Sequence, residues 1–267
     1  MKRFFYLFMF AVVTVLVLPQ CGQVAKEKKA KYVFYFIGDG MGVNQVNGTE
    51  MYLAQKKGVI GIEPLHFTQF PVVNFATTYS KYNSVTCSAA AGTALATGSK
   101  TKNGTIGMDS LRENSLYSVA VKAKNAGKKV GITTSVSIDH ATPAAFYAHQ
   151  PSRSMYYEIA TDLPKADFDF YAGSGFLKPT TTADKKEAPS IFPMFEEAGY
   201  TLARGYNDFK AKVPQAKKMI LIQEEGADVS SLPYAIDRKE GELTLAQITE
   251  SAIEFLTKEK NKGFFLM

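Results

Sequence analysis

The sequence predicts an α/β domain, with a mostly parallel central sheet, helices on both faces and a C-terminal side that is incomplete. Three observations carry this. Short runs of aromatic and β-branched residues alternate with helical patterns along residues 32–267. Glycine and polar groups gather where several of these runs end, which is the ligand-binding edge of an open parallel sheet. The chain has 267 residues at 46% hydrophobic content, enough for a sizeable core, and its two cysteines, Cys21 and Cys87, give no disulfide framework in place of one.

Residues 1–21 read as a signal or lipoprotein segment. Lys2 and Arg3 precede an apolar run from Phe4 to Leu18 that only Thr14 interrupts. The run is short for a membrane span. Leu18-Pro19-Gln20-Cys21-Gly22 is similar to a bacterial lipoprotein signal, in which the cysteine becomes the lipidated first residue; simple secretion and an uncleaved anchor are the competing readings. Residues 22–31 follow as a polar tether. The expected location is the periplasm or the outer membrane, with a lipid anchor at Cys21. Net charge is +6. The basic residues are scattered apart from a short cluster at 26–31, so nucleic-acid binding is not inferred.

In chain order, residues 31–37 (KYVFYFI) predict a buried strand that stops at Gly38-Asp39-Gly40-Met41-Gly42. The spacing of these glycines does not fit a dinucleotide loop. An acid at a strand end between residues without side chains has room for a metal, and it also suits a plain turn. A helix is predicted over 43–56, a strand over 70–79, and a helix from Ser88 through a run of small residues to Gly98. A polar, glycine-rich loop spans 98–107. A helix over 115–126 is closed by Gly127, and a strand over 129–136 leads into Asp139 and His140. Arg153 falls early in a helix predicted from 151. Strands are expected at 168–172, from 200, at 218–223 and from 263. Further helices are expected at 191–198 and 243–259, the latter capped by Thr244. Residues 178–215 read as a peripheral insertion.

Ser88 has two readings. A serine at a helix start is a common N-cap. It also sits beside unpaired N–H groups at the positive end of the helix dipole, which suits phosphate.

Four blocks in register resemble the alkaline phosphatase family: residues 32–42, 85–104, 140–145, and 148–149 with Arg153. Residues 244–267 resemble the helix and strand that precede the family's second group of metal ligands. The resemblance implies hydrolysis of phosphate monoesters through a phosphoserine, with two Zn2+ and one Mg2+. Ser88 would be the nucleophile and a zinc ligand. Asp39 would bridge zinc and magnesium, Thr142 would give a hydroxyl to magnesium, and Arg153 would clamp two phosphate oxygens. His140 would act through water near the magnesium, and His149 would be structural. A homodimer is one arrangement open to the complete enzyme.

Two departures stand out. Cys87 occupies the position before the nucleophile, where relatives commonly carry an aspartate that orients the arginine. The family's remaining metal ligands follow the strand that begins at Gly263, whereas the sequence stops at Met267. The expectation is a truncated or partial version of a larger enzyme, holding the nucleophile half of the site and inactive alone. The competing reading is a non-catalytic surface lipoprotein that keeps the fold and binds phosphate. A sulfatase is disfavoured, because Cys87-Ser88-Ala89-Ala90-Ala91 lacks the proline and arginine of that motif.

Overall fold

A computed structural model describes residues 30–267. The predicted export segment, Cys21 and most of the polar tether lie outside the described residues.

Every ladder in the sheet is parallel. The strands are β1 (Tyr32–Phe34), β2 (Lys129–Thr133), β3 (Phe170–Ala172), β4 (Tyr200–Arg204), β5 (Lys218–Ile222) and β6 (Phe264–Leu266). They lie side by side in the order β1-β6-β2-β3-β5-β4. Parallel neighbours need crossovers. The helices along the chain are α1 (Val43–Lys56), α2 (Ser88–Thr97), α3 (Val119–Asn125), α4 (Ala141–Ala144), α5 (Tyr156–Ala166), α6 (Ile191–Glu197), α7 (Gly205–Lys212) and α8 (Leu245–Leu256).

Successive strand residues point to opposite faces, and two cores follow from that. Tyr171, Ile220 and Phe265 are buried on one face with Ile159 and Leu163 of α5 and Phe195 of α6. Their chain neighbours Phe170, Met219, Leu221 and Phe264 are buried on the other, with Phe209 of α7 and Ile248, Ala252 and Phe255 of α8. Each of the larger apolar side chains among them contributes about 1.5–3 kcal/mol on burial. Gly131 in β2 lets α8 approach closely, since a Cβ there would meet Leu256 Cδ1 and Leu266 Cδ1 at 2.9 Å. Thr244 caps α8 as predicted. Its hydroxyl accepts from the Gln247 N–H at 2.9 Å, and the Gln247 side chain accepts from the Thr244 N–H at 3.0 Å.

Four expectations are corrected. Residues 70–79 form no strand. Val72, Val73 and Phe75 are all more than 80% exposed, and β-propensity without a paired neighbour does not make a strand. Residues 178–215 are not wholly peripheral, because β4 lies within them and forms the sheet edge beside β5. Arg153 is not in a helix. It lies in the turn before α5, which begins only at Tyr156. The helix predicted over 115–126 is shorter, starting after its cap Ser118, whose hydroxyl also donates to Phe146 O at 2.6 Å.

Candidate active site

The site is assembled at the carboxyl end of β1. The extended chain continues past β1, with Tyr35 N–H donating to Leu266 O at 2.8 Å, and then turns where Met41 N–H bonds Gly38 O at 3.2 Å. Gly40 adopts φ +69°, a left-handed conformation that favours glycine. The turn leaves Asp39 at the sheet edge.

Ser88 opens α2, a helix of small residues (SAAAGTALAT) with Cys87 as its N-cap in extended conformation. Smallness is what lets α2 settle against residues 141–145. A Cβ on Gly92 would lie 3.2 Å from Ala145 Cβ and 3.5 Å from Thr142 Cα. This approach brings two hydroxyls to one carboxylate. Ser88 Oγ donates to Asp39 Oδ1 at 3.2 Å, and Thr142 Oγ1 donates to Asp39 Oδ2 at 2.7 Å. The partners are 49 and 103 residues from Asp39 in sequence.

Arg153 comes in from the turn before α5. Its backbone N–H donates to Gly104 O at 2.7 Å. Its Nη2 lies 3.2 Å from His140 Nε2. A guanidinium can only donate, so the imidazole accepts at Nε2 and carries its proton on Nδ1, which is buried without a partner. Burial holds the His140 pKa down, the Arg153 charge adds to this, and Asp39 opposes it. His140 is therefore a neutral acceptor for the clamp. The expected arrangement at water near a magnesium did not reveal this contact. No spacing signal encodes it, since the two residues meet only through the fold.

Cys87 Sγ accepts from the Gly104 N–H at 3.1 Å. Burial pushes its thiol pKa up, but the N–H groups of Ala90, Gly104 and Ala89, together with the Arg153 charge, outweigh that and hold it below the ordinary value. Lys100 sits 3.5 Å from the centroid of the Tyr79 ring and donates to Thr77 O at 3.3 Å and to Tyr79 O. Asp39, Cys87, Ser88, Lys100, Thr142 and Arg153 all line one cleft of about 600 Å³. His149 lies elsewhere in the network, with Nδ1 2.7 Å from Gly107 O and its ring edge-on to Tyr117.

One carboxylate and two hydroxyls converge, all of them hard oxygen donors of the kind magnesium takes. They fit one side of a cation shell. Among the described residues no group of three or more His, Cys, Asp or Glu is placed to hold a metal. The three protein ligands usual for catalytic zinc are thus not completed by these residues.

Comparison with known proteins shows the family and the fold. The family model described as Alkaline phosphatase matches residues 30–169. Alkaline phosphatase 3 of Bacillus subtilis (strain 168) is 34% identical over 262 residues, covering 94% of this chain and 54% of the relative. Alkaline phosphatase 4 of Drosophila melanogaster is 30% identical over 289 residues, covering 90% of this chain and 48% of the relative. The solved alkaline phosphatase of the Antarctic bacterium TAB5 superposes with a TM-score of 0.73 at 29% identity, over 89% of this chain and 64% of that one. A mutant of the TAB5 enzyme is described with Mg bound in its M3 site. The chain spans about half the length of the curated relatives it matches.

Proposed function

We propose that this chain, which belongs to the alkaline phosphatase family, carries the nucleophile half of a site that hydrolyses phosphate monoesters through a phosphoserine on Ser88. The observation that carries the reading is the convergence of Ser88 and Thr142 on Asp39 in the cleft that Arg153 also lines.

Asp39 would hold the metal, with the hydroxyls of Ser88 and Thr142 as further oxygen donors. When bound, the metal supplies a lowered pKa for the serine hydroxyl and charge stabilisation in the transition state. The other tasks fall to the chain's own groups. Arg153 binds two non-bridging phosphate oxygens through its planar fork and neutralises the charge that develops on them. The unpaired N–H groups at the start of α2 add partial positive charge on the same side. Ser88 Oγ attacks phosphorus in line and gives up its proton to solvent, and the P–O bond to the alcohol breaks with its electron pair on the alcohol oxygen, which takes up a proton from solvent. Water then attacks the phosphoserine on phosphorus, releasing phosphate and restoring the hydroxyl. No histidine general base beside Ser88 is needed.

The test is to mix the full chain, supplied with Zn2+ and Mg2+, with a 32P-labelled phosphomonoester and quench in acid. Label retained on the parent and absent from Ser88→Ala is the expected result. Equal labelling of both proteins overturns the assignment of Ser88.

A second reading is favoured by one observation, the lack of a complete metal-ligand group among the described residues. On that reading the chain binds phosphate without turning esters over. Phosphate binding with no labelling and no turnover after metal addition would select it. We further propose export, with lipid on Cys21. Incorporation of labelled palmitate that is lost in Cys21→Ser is the outcome that supports it.

A further inference from the structure

We propose that Cys87 is a positioning residue for phosphate binding: its sulfur, acting through Gly104, holds the Arg153 backbone in register with Ser88. The inference rests on the phosphate-site reading above.

Gly104 is bonded on both sides. Its N–H donates to Cys87 Sγ at 3.1 Å, and its carbonyl accepts from the Arg153 N–H at 2.7 Å. The preceding residue reinforces the link. Asn103 Oδ1 accepts from the Cys87 N–H at 3.2 Å, and Asn103 Nδ2 donates to Val85 O at 3.0 Å. The loop at 103–104 thus clasps the segment immediately before the nucleophile and passes that position on to the arginine. Gly104 has φ +84° and nothing within 4 Å of an added Cβ, so glycine serves backbone conformation here rather than close packing. Among the described residues no carboxylate forms an ion pair with Arg153. Its guanidinium meets the neutral His140 instead. The arginine is therefore placed by its backbone, and Cys87 is the side chain at the far end of that placement. A thiol can do this because the bond to Gly104 needs only an acceptor.

The experiment is calorimetric titration of inorganic phosphate into the full chain with Zn2+ and Mg2+ present. The proteins are the parent, Cys87→Ala, Cys87→Ser, Cys87→Val, Arg153→Ala and the double variant Cys87→Ala/Arg153→Ala. Circular dichroism confirms that each one titrated is folded, and Cys87→Val, which keeps the volume but has no acceptor, replaces Cys87→Ala should that variant not fold. Removing one hydrogen-bond acceptor predicts phosphate binding weaker by about fivefold to tenfold in Cys87→Ala. Cys87→Ser, which keeps an acceptor, recovers most of the loss. In the Arg153→Ala background the cysteine substitution adds no further loss, because the two act through one link. A merely structural cysteine would give the same loss in both backgrounds, and that result overturns the inference. So does binding by Cys87→Ala within about twofold of the parent, or a serine variant as weak as the alanine one. If Arg153→Ala weakens phosphate and Cys87→Ala does not, only the positioning role fails. If Arg153→Ala leaves binding unchanged, or the parent binds no phosphate, the phosphate-site reading fails with it.

Discussion

Two glycines in one loop allow a controlled test of how the Arg153 segment is held. Gly107 and Gly104 both have positive φ, +58° and +84°. An alanine at either costs about 1–2 kcal/mol of left-handed strain. Part of that is returned by the lower entropy of the unfolded chain, about 0.4–1 kcal/mol. At Gly104 the new Cβ meets open space, so the net expectation is about 1 kcal/mol or less. At Gly107 the Cβ would lie 2.1 Å from Ala148 O and 2.9 Å from His149 Nδ1. The carbonyl cannot retreat easily, because Ile106 and Gln150 bond each other in both directions alongside it, at 3.0 and 2.9 Å. Relief must break that bridge, or the bonds Gly107 makes to Thr93 Oγ1 and Leu116 N–H at 3.0 and 2.7 Å. Overpacking costs about 1–3 kcal/mol and each lost hydrogen bond about 1 kcal/mol. The expected destabilisation is about 3–5 kcal/mol for Gly107→Ala. Urea unfolding of both variants, followed by far-UV circular dichroism, reads the difference. With a slope of about 1–3 kcal/mol per molar urea, the two midpoints should differ by roughly 1 M or more. Midpoints within about 0.3 M of each other would refute the claim that a backbone clash, rather than φ alone, demands glycine at 107.

Other outcomes follow from the same structure. Burial pushes the Asp139 carboxyl up to about 6, against partial relief from Ser137 and the Leu177 N–H. The native state therefore holds a proton that the unfolded chain has released, and this contribution is full below about pH 4 and lost as pH rises through about 6. The loss is on the order of 2–3 kcal/mol. Asp139→Asn should flatten the dependence of the unfolding midpoint on pH over that window; an unchanged slope would show that burial is not what governs it. Asp39→Asn should weaken Mg2+ binding at least tenfold, read by calorimetry with the metal alone, since it removes the one carboxylate on which both hydroxyls converge. Undiminished Mg2+ affinity would remove Asp39 from the metal site. Leu256→Ala should cost about 2–5 kcal/mol in chemical denaturation, because Leu256 is 1% exposed and packs on Gly131. A loss below about 1 kcal/mol would mean that α8 collapses into the gap.

Local chemistry made much of this protein readable from its residues. Valine, isoleucine and aromatic runs report buried parallel strands because both faces of such a strand are covered, and β2, β3, β5 and β6 fall where those runs lie. The extent of α1 and the Thr244 cap were legible because a helix end is a local matter of a few side chains and N–H groups. Asp39 and Ser88 could be singled out by residue type and place, and Thr142 and Arg153 only through the family resemblance of their blocks. The failures were those of context. Residues 70–79 have strand composition and no strand partner, and α7 (GYNDFKAK) shows too weak an apolar period to announce itself, with Phe209 and Gly205 its buried residues. The meeting of Ser88 and Thr142 on one carboxylate, the His140–Arg153 contact and the Cys87–Gly104–Arg153 link join residues 13 to 103 positions apart or through an intermediary. A sequence carries no distance between such groups. They come together only when α2, made of residues small enough to lie against the 141–145 segment, docks at the end of the sheet.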